Sequence, residues 1–115
     1  MRESDLMKEI MIALSAAGCM VFRNNTGTAY QGKVIHQSGN QVTLADARVI
    51  VFGLCVGSAD IIGIAPDGRF LAVEVKTAKG KTTPEQERFI FNVQLAGGIA
   101  GVARSVDDAL RLVQS

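Results

Sequence analysis

Tryptophan is absent from this 115-residue chain, histidine occurs once, and cysteine and proline occur twice each. A single His36 excludes a histidine-based zinc cluster and argues against a Ser-His or Cys-His nucleophile; its surroundings read as an exposed hairpin, so it is expected to be a polar surface residue. Cys19 and Cys55 are too few and too far apart for a Cys-x-x-Cys zinc or redox motif, and their apolar neighbours suggest two buried free thiols. No apolar run approaches a membrane span, and the longest, around Val49 to Val56, suits a buried strand. The chain opens Met-Arg-Glu-Ser-Asp without a signal-peptide pattern, which points to the cytoplasm and to no membrane partner. Excess charge is also missing: the net value is +1, so affinity for nucleic acid would need a local basic patch.

What is present suits one globular domain over residues 1–115, with 48% apolar residues and 12 glycines, of the α/β or α+β class. Ser4 is placed to cap a helix from about Asp5 to Ala17, ended by Gly18, with Leu6, Ile10, Ala13, Leu14 and Ala17 on one stripe. Cys19 to Arg23 reads as a strand, broken by the turn chemistry of Asn24-Asn25-Thr26-Gly27, whose amides could also serve a phosphate. Lys33 to Gln37 and Gln41 to Leu44 form a small polar inserted hairpin, suited to substrate contact or self-association. Arg48 to Leu54 carries the chain, partly as strand, to Gly57.

Residues 57 to 76 hold the strongest local pattern. Two apolar segments, about 59 to 65 and 69 to 76, flank Pro66-Asp67-Gly68, a β-hairpin signal in which Pro presets φ, Asp bonds locally and Gly supplies a positive φ. A type I turn closed by Gly68 makes Ala65 face Arg69, Ile64 face Phe70, Ile62 face Ala72 and Asp60 face Glu74. Carboxylates directly opposed across a strand pair repel, and Lys76 lies on the same face as Glu74 by strand alternation. A lone Glu-x-Lys is most often a solvated pair. Here the preceding Gly57-Ser58-Ala59-Asp60, the opposing register and the apolar flanks coincide, and two carboxylates with room for water suit Mg²⁺. Lys76, Lys79 and Lys81 follow without an intervening acid, a patch suited to phosphate.

Beyond the hairpin, Thr83-Pro84-Glu85-Gln86 starts a helix with Thr83 as N-cap, Pro84 at N1 and Gln86 at N3. Phe89, Ile90, Val93 and Ala96 are expected on its buried face and Gly97-Gly98 at its end. Ile99 to Ala103 is a last strand, parallel to its neighbour because the helix acts as a crossover. Ser105 caps a closing helix, with Asp108 at N3 and Ala109, Leu112 and Val113 turned inward. This order gives a mixed central sheet flanked by helices, with a small inserted hairpin.

The residues Glu9, Arg23-Asn24-Asn25-Thr26-Gly27, Phe52-Gly53-Leu54, Gly57-Ser58-Ala59-Asp60, Glu74-Val75-Lys76 and Gln86 together resemble the virus-type replication-repair nuclease (VRR-NUC) branch of the PD-(D/E)xK nuclease superfamily. Many members have Pro where this chain has Ala59. The resemblance implies a restriction-endonuclease-like core in which Asp60, Glu74 and the Val75 carbonyl hold Mg²⁺ or Mn²⁺, with Lys76 beside the attacking water. It also implies that Glu9 and Gln86 complete the site from flanking helices. The implied reaction is DNA phosphodiester hydrolysis by a structure-selective endonuclease, acting as a homodimer on targets that include branched or Holliday-type junctions. Arg23, Asn24, Ser58, Lys79 and Lys81 are the candidate DNA contacts. The alternative is a non-catalytic DNA-binding module that keeps the fold.

Overall fold

Nine elements follow one another in the computed structural model, which describes residues 1–114. They are α1 (Glu3–Ala16), β1 (Met20–Arg23), β2 (Gly27–Ser38), β3 (Gln41–Phe52), β4 (Ile61–Ile64), β5 (Phe70–Val75), α2 (Pro84–Leu95), β6 (Ile99–Ala103) and α3 (Val106–Gln114). Four strands form a mixed sheet in the order β1-β4-β5-β6. β1 and β4 pair antiparallel, as do β4 and β5, whereas β5 and β6 run parallel. The parallel pair follows from α2, which carries the chain back to the end of the sheet where β5 begins. Among the described residues no helix is long and apolar enough to cross a membrane.

The β4-β5 hairpin has the register that its turn dictates, with Ile64 opposite Phe70 and Ile62 opposite Ala72. Ala65 and Arg69 close it through a 2.9 Å bond from Ala65 N–H to Arg69 O, and Gly68, at φ 91°, donates to Ala65 O at 2.9 Å. A side chain at Gly68 would be strained by that positive φ. Alternation along β5 then sorts the residues. Leu71, Val73 and Val75 join Leu6, Ile10, Leu14, Ile61 and Ala109 in the main core under α1 and α3. Ala72 faces the other way, with Ala59 and Ala100, against Phe89, Ile90 and Val93 of α2. Small side chains on this second face let α2 approach closely.

Several expectations are corrected. Ser4 lies inside α1; the N-cap is Arg2, whose side chain makes no capping bond, while Gly18 does end the helix with φ 94°. Cys19 is buried but Cys55 is exposed, because the segment around it is a surface loop. Ala96 is exposed: it is the C-cap, one place past the end of α2, whose packed residues are Phe89, Ile90 and Val93.

The largest correction concerns residues 27–52. They form no small hairpin followed by a core strand, but one ribbon in which β2 and β3 pair from Gly27 opposite Phe52 to Ser38 opposite Gln41. The ribbon is a separate two-stranded sheet. Val49 and Val51, read as core, are 59% and 72% exposed. Their apolar, β-branched character makes strand, as expected, but the pairing partner is the ribbon's own first half, and its faces meet no layer of the body. The molecule accordingly measures 52 × 30 × 27 Å.

Candidate active site

Strand alternation on β5 turns Glu74 toward α2, on the same face as Ala72, where it is 1% exposed. Asp60 stands just before β4, and its carboxylate is tied to the neighbouring strand: Val75 N–H donates to Asp60 Oδ2 at 2.9 Å. The predicted opposition of Asp60 and Glu74 is therefore present. Glu74 is pushed up to about 8, first by burial and then by the adjacent Asp60 carboxylate, with Lys76 pulling the other way. Lys76 Nζ lies 3.5 Å from Glu74 Oε2.

Gln86 reaches the same oxygen, its Nε2 donating to Glu74 Oε2 at 3.1 Å. The sequence places it there by helix-start chemistry. Thr83 Oγ1 accepts from Gln86 N–H at 3.1 Å, and Thr83 N–H donates to Gln86 Oε1 at 2.9 Å, completing a capping box. One amide thus serves both the helix end and the buried carboxylate. Close approach of the loop before Asp60 to the same helix start depends on Gly57, at φ 83°, where a Cβ would meet Glu85 O at 2.6 Å.

Among the described residues Glu74 Oε1 is buried and finds no neutral or cationic hydrogen-bond donor, and the group beside this carboxyl is the acid Asp60. Buried carboxylate oxygens normally find a donor, so an orphaned one beside a second carboxylate is what a cation site leaves when the ion is disregarded. The donor set fits a divalent ion that takes one or two carboxylates and water. Val75 could add only main-chain oxygen, because its side chain is buried in the core on the opposite face. Among the described residues no third Asp, Glu, His or Cys joins the pair.

Other predicted residues divide sharply. Glu9 is exposed on α1, and among the described residues it does not join Asp60 and Glu74 in a cluster of three acidic side chains. Asn24 and Ser58 are buried, at 8% and 6% exposure, and their polar atoms are occupied. Asn24 Nδ2 donates to Ser58 Oγ at 2.7 Å and to Ala59 O at 2.8 Å, while its Oδ1 accepts from Leu54 N–H at 3.0 Å. Ser58 Oγ donates in turn to Cys55 O at 2.7 Å. Neither has a donor left for phosphate; both are fasteners that hold the loop 53–60, and so Asp60, against the end of β1. Arg23, Lys79 and Lys81 are exposed and, among the described residues, unpaired, which keeps them available to an anion. Sequence reasoning missed Arg104, which bonds the loop after β5; the sequence offered only a basic residue following the last strand.

Residues 3–107 match the family model described as the VRR-NUC domain. A solved structure titled a VRR_NUC domain protein is 29% identical, with a TM-score of 0.44, over 54% of this chain and 53% of its own. The match thus spans about half the length of that protein. No curated protein matches.

Proposed function

This chain belongs to the VRR-NUC domain family, a PD-(D/E)xK-like group of DNA nucleases that generally use a divalent metal, and from that premise we propose that it is a Mg²⁺- or Mn²⁺-dependent DNA endonuclease. The supporting observation is the buried Glu74 Oε1, without a neutral or cationic donor among the described residues, next to Asp60, with Lys76 at 3.5 Å from the other Glu74 oxygen. Asp60 and Glu74 would hold the ion, with the Val75 carbonyl as a third oxygen. When bound, a divalent cation polarises a phosphoryl oxygen and makes water more acidic.

The chain's own residues do the rest. Val75 N–H fixes the Asp60 carboxylate, and Gln86 fixes one oxygen of Glu74, so neither has to be ordered during the reaction. The Lys76 ammonium, on a side chain that is 15% exposed, can stabilise negative charge that grows on the scissile phosphate or orient the attacking water. Lys79, Lys81 and Arg23 offer charge to the DNA backbone around it. As a finer reading, the enzyme is structure-selective and works as a homodimer on branched DNA, since one chain supplies one site and a two-fold junction needs two.

The test is nicking of supercoiled plasmid and of labelled duplex, flap and four-way-junction DNA, with Mg²⁺, Mn²⁺ or EDTA, alongside Mn²⁺ calorimetry. Asp60→Asn and Glu74→Gln are expected to lose cleavage and Mn²⁺ binding while remaining folded. The Asn variant keeps an acceptor for Val75 N–H, which Ala would leave unsatisfied at a cost of about 1–3 kcal/mol. Wild-type rates from both purified variants would refute the assignment.

A further inference from the structure

The basic loop after β5 has a support of its own. Lys76 N–H extends the parallel pairing one residue past β5 by donating to Ala103 O at 3.1 Å, and Gly80 N–H donates to Thr77 O at 3.0 Å, closing a turn with Ala78 and Lys79 at its tip. Both carbonyls of that turn converge on one nitrogen: Arg104 Nη1 donates to Thr77 O at 2.6 Å and to Gly80 O at 2.7 Å. Arg104 is itself anchored. It follows β6 directly, its N–H donates to Asp108 Oδ2 at 2.9 Å, and Asp108 N–H donates to Ser105 Oγ at 3.1 Å. The guanidinium therefore projects from the start of α3 as a strut, joined to the turn by short charge-assisted bonds. The turn also packs on the Lys76 side chain, since a Cβ at Gly80 would lie 3.3 Å from Lys76 Cδ.

We propose that Arg104 is a positioning residue for the DNA substrate: by holding Thr77 and Gly80 it fixes the turn that carries Lys79, and Lys81 next to it, against Lys76. The inference rests on the nuclease reading above. Lysines on an unheld turn would have to be ordered together with its backbone when DNA arrives, and that ordering weakens binding. Both bonds come from Nη1, held in place by the planar guanidinium, and a lysine ammonium, on a flexible stem, would bridge two carbonyls poorly.

Arg104→Ala and Arg104→Lys separate these roles. Steady-state cleavage of a labelled duplex with Mg²⁺ is expected to show KM raised about 5–10-fold in both, with kcat within about twofold, alongside faster hydrogen exchange at 77–81. Adding Lys79→Ala and Lys81→Ala to Arg104→Ala should raise KM less than the same pair does in the wild type. Restoration of wild-type KM by Arg104→Lys would overturn the proposal in favour of bare charge. So would an unchanged KM despite faster exchange, or a loss confined to kcat. A wild-type protein that neither binds nor cleaves DNA would overturn the nuclease reading and this inference together, whereas an active wild type with unaltered variants overturns the role of Arg104 alone.

Discussion

Glu74 carries the heaviest electrostatic load of any single side chain here. Its acidity is weakened to about 8 by burial and by Asp60, whereas in the unfolded chain it ionises in the ordinary carboxylate range. The folded state thus binds a proton that the unfolded state has released. That contribution to stability is complete below pH 4.5 and is lost as pH rises toward about 8, amounting to a few kcal/mol as an order of magnitude. Thermal melts of metal-free protein should therefore show Tm falling across that window. Glu74→Gln should flatten the slope and melt higher than the wild type at pH 8, although it cannot cleave DNA, a trade of function for stability. Saturating Mn²⁺ should restore wild-type Tm at pH 8 and release protons, because the ion takes the carboxylate in its ionised form. A metal-free Tm that is level from pH 5 to pH 8 would contradict the burial argument. Asn24 makes the opposite point about legibility: its turn-forming type was plain in the sequence, but its three bonds run to Leu54, Ser58 and Ala59, at separations local chemistry does not encode.

The elements that were readable are those whose instructions lie within a few residues of each other. Pro66-Asp67-Gly68 sets the β4-β5 register, and that register alone opposes Asp60 to Glu74. Thr83 and Gln86 set the start of α2, and their box supplies the amide that reaches Glu74. Gln86→Ala removes one arm of the box and one bond to a buried carboxylate, at about 1 kcal/mol each. A loss of about 1–2 kcal/mol in urea unfolding, with kcat reduced about tenfold, is the expected result. Gln86→Glu preserves the cap but places a like charge beside Glu74, so it should keep helix stability better than Ala while losing more cleavage. Equal kcat for Gln86→Ala and wild type would make the Gln86 bond incidental. The ribbon was not readable in this way. Val49, Val51 and Phe52 have the composition of a core strand, and only the absence of a covering layer, a property of the whole fold, distinguishes them.

At the scale of the whole molecule that ribbon is the anomaly. Each strand has 12 residues, roughly 40 Å when extended, and isolated two-stranded ribbons are marginally stable in water. Tyr30 and Val49 pair directly, with Thr28 and Val51 two places along the same face. Tyr30, Val34, Ile35, Val42, Val49 and Val51 are all more than half exposed. At roughly 100 Å² per such side chain they offer several hundred Å² over the ribbon as a whole, against about 800 Å² for one partner's share of a standard interface. The ribbon has few charges, Lys33, Asp46 and Arg48, which suits protein better than phosphate. If the enzyme is a homodimer, this face is the natural seam. Sedimentation equilibrium should then give a dimer for the wild type and a monomer for Tyr30→Lys/Val49→Lys, and a wild type that stays monomeric under DNA-cleaving conditions would count against it.

Asn24 acts as a clasp where the ribbon leaves the body, gripping Leu54 just past the returning strand and Ser58 and Ala59 on the way to the reacting carboxylates. Torque applied far out along the arm is therefore grounded before it reaches Asp60. Evolution could lengthen, trim or re-surface that appendage to suit new companions while the cutting chemistry behind the clasp stays undisturbed.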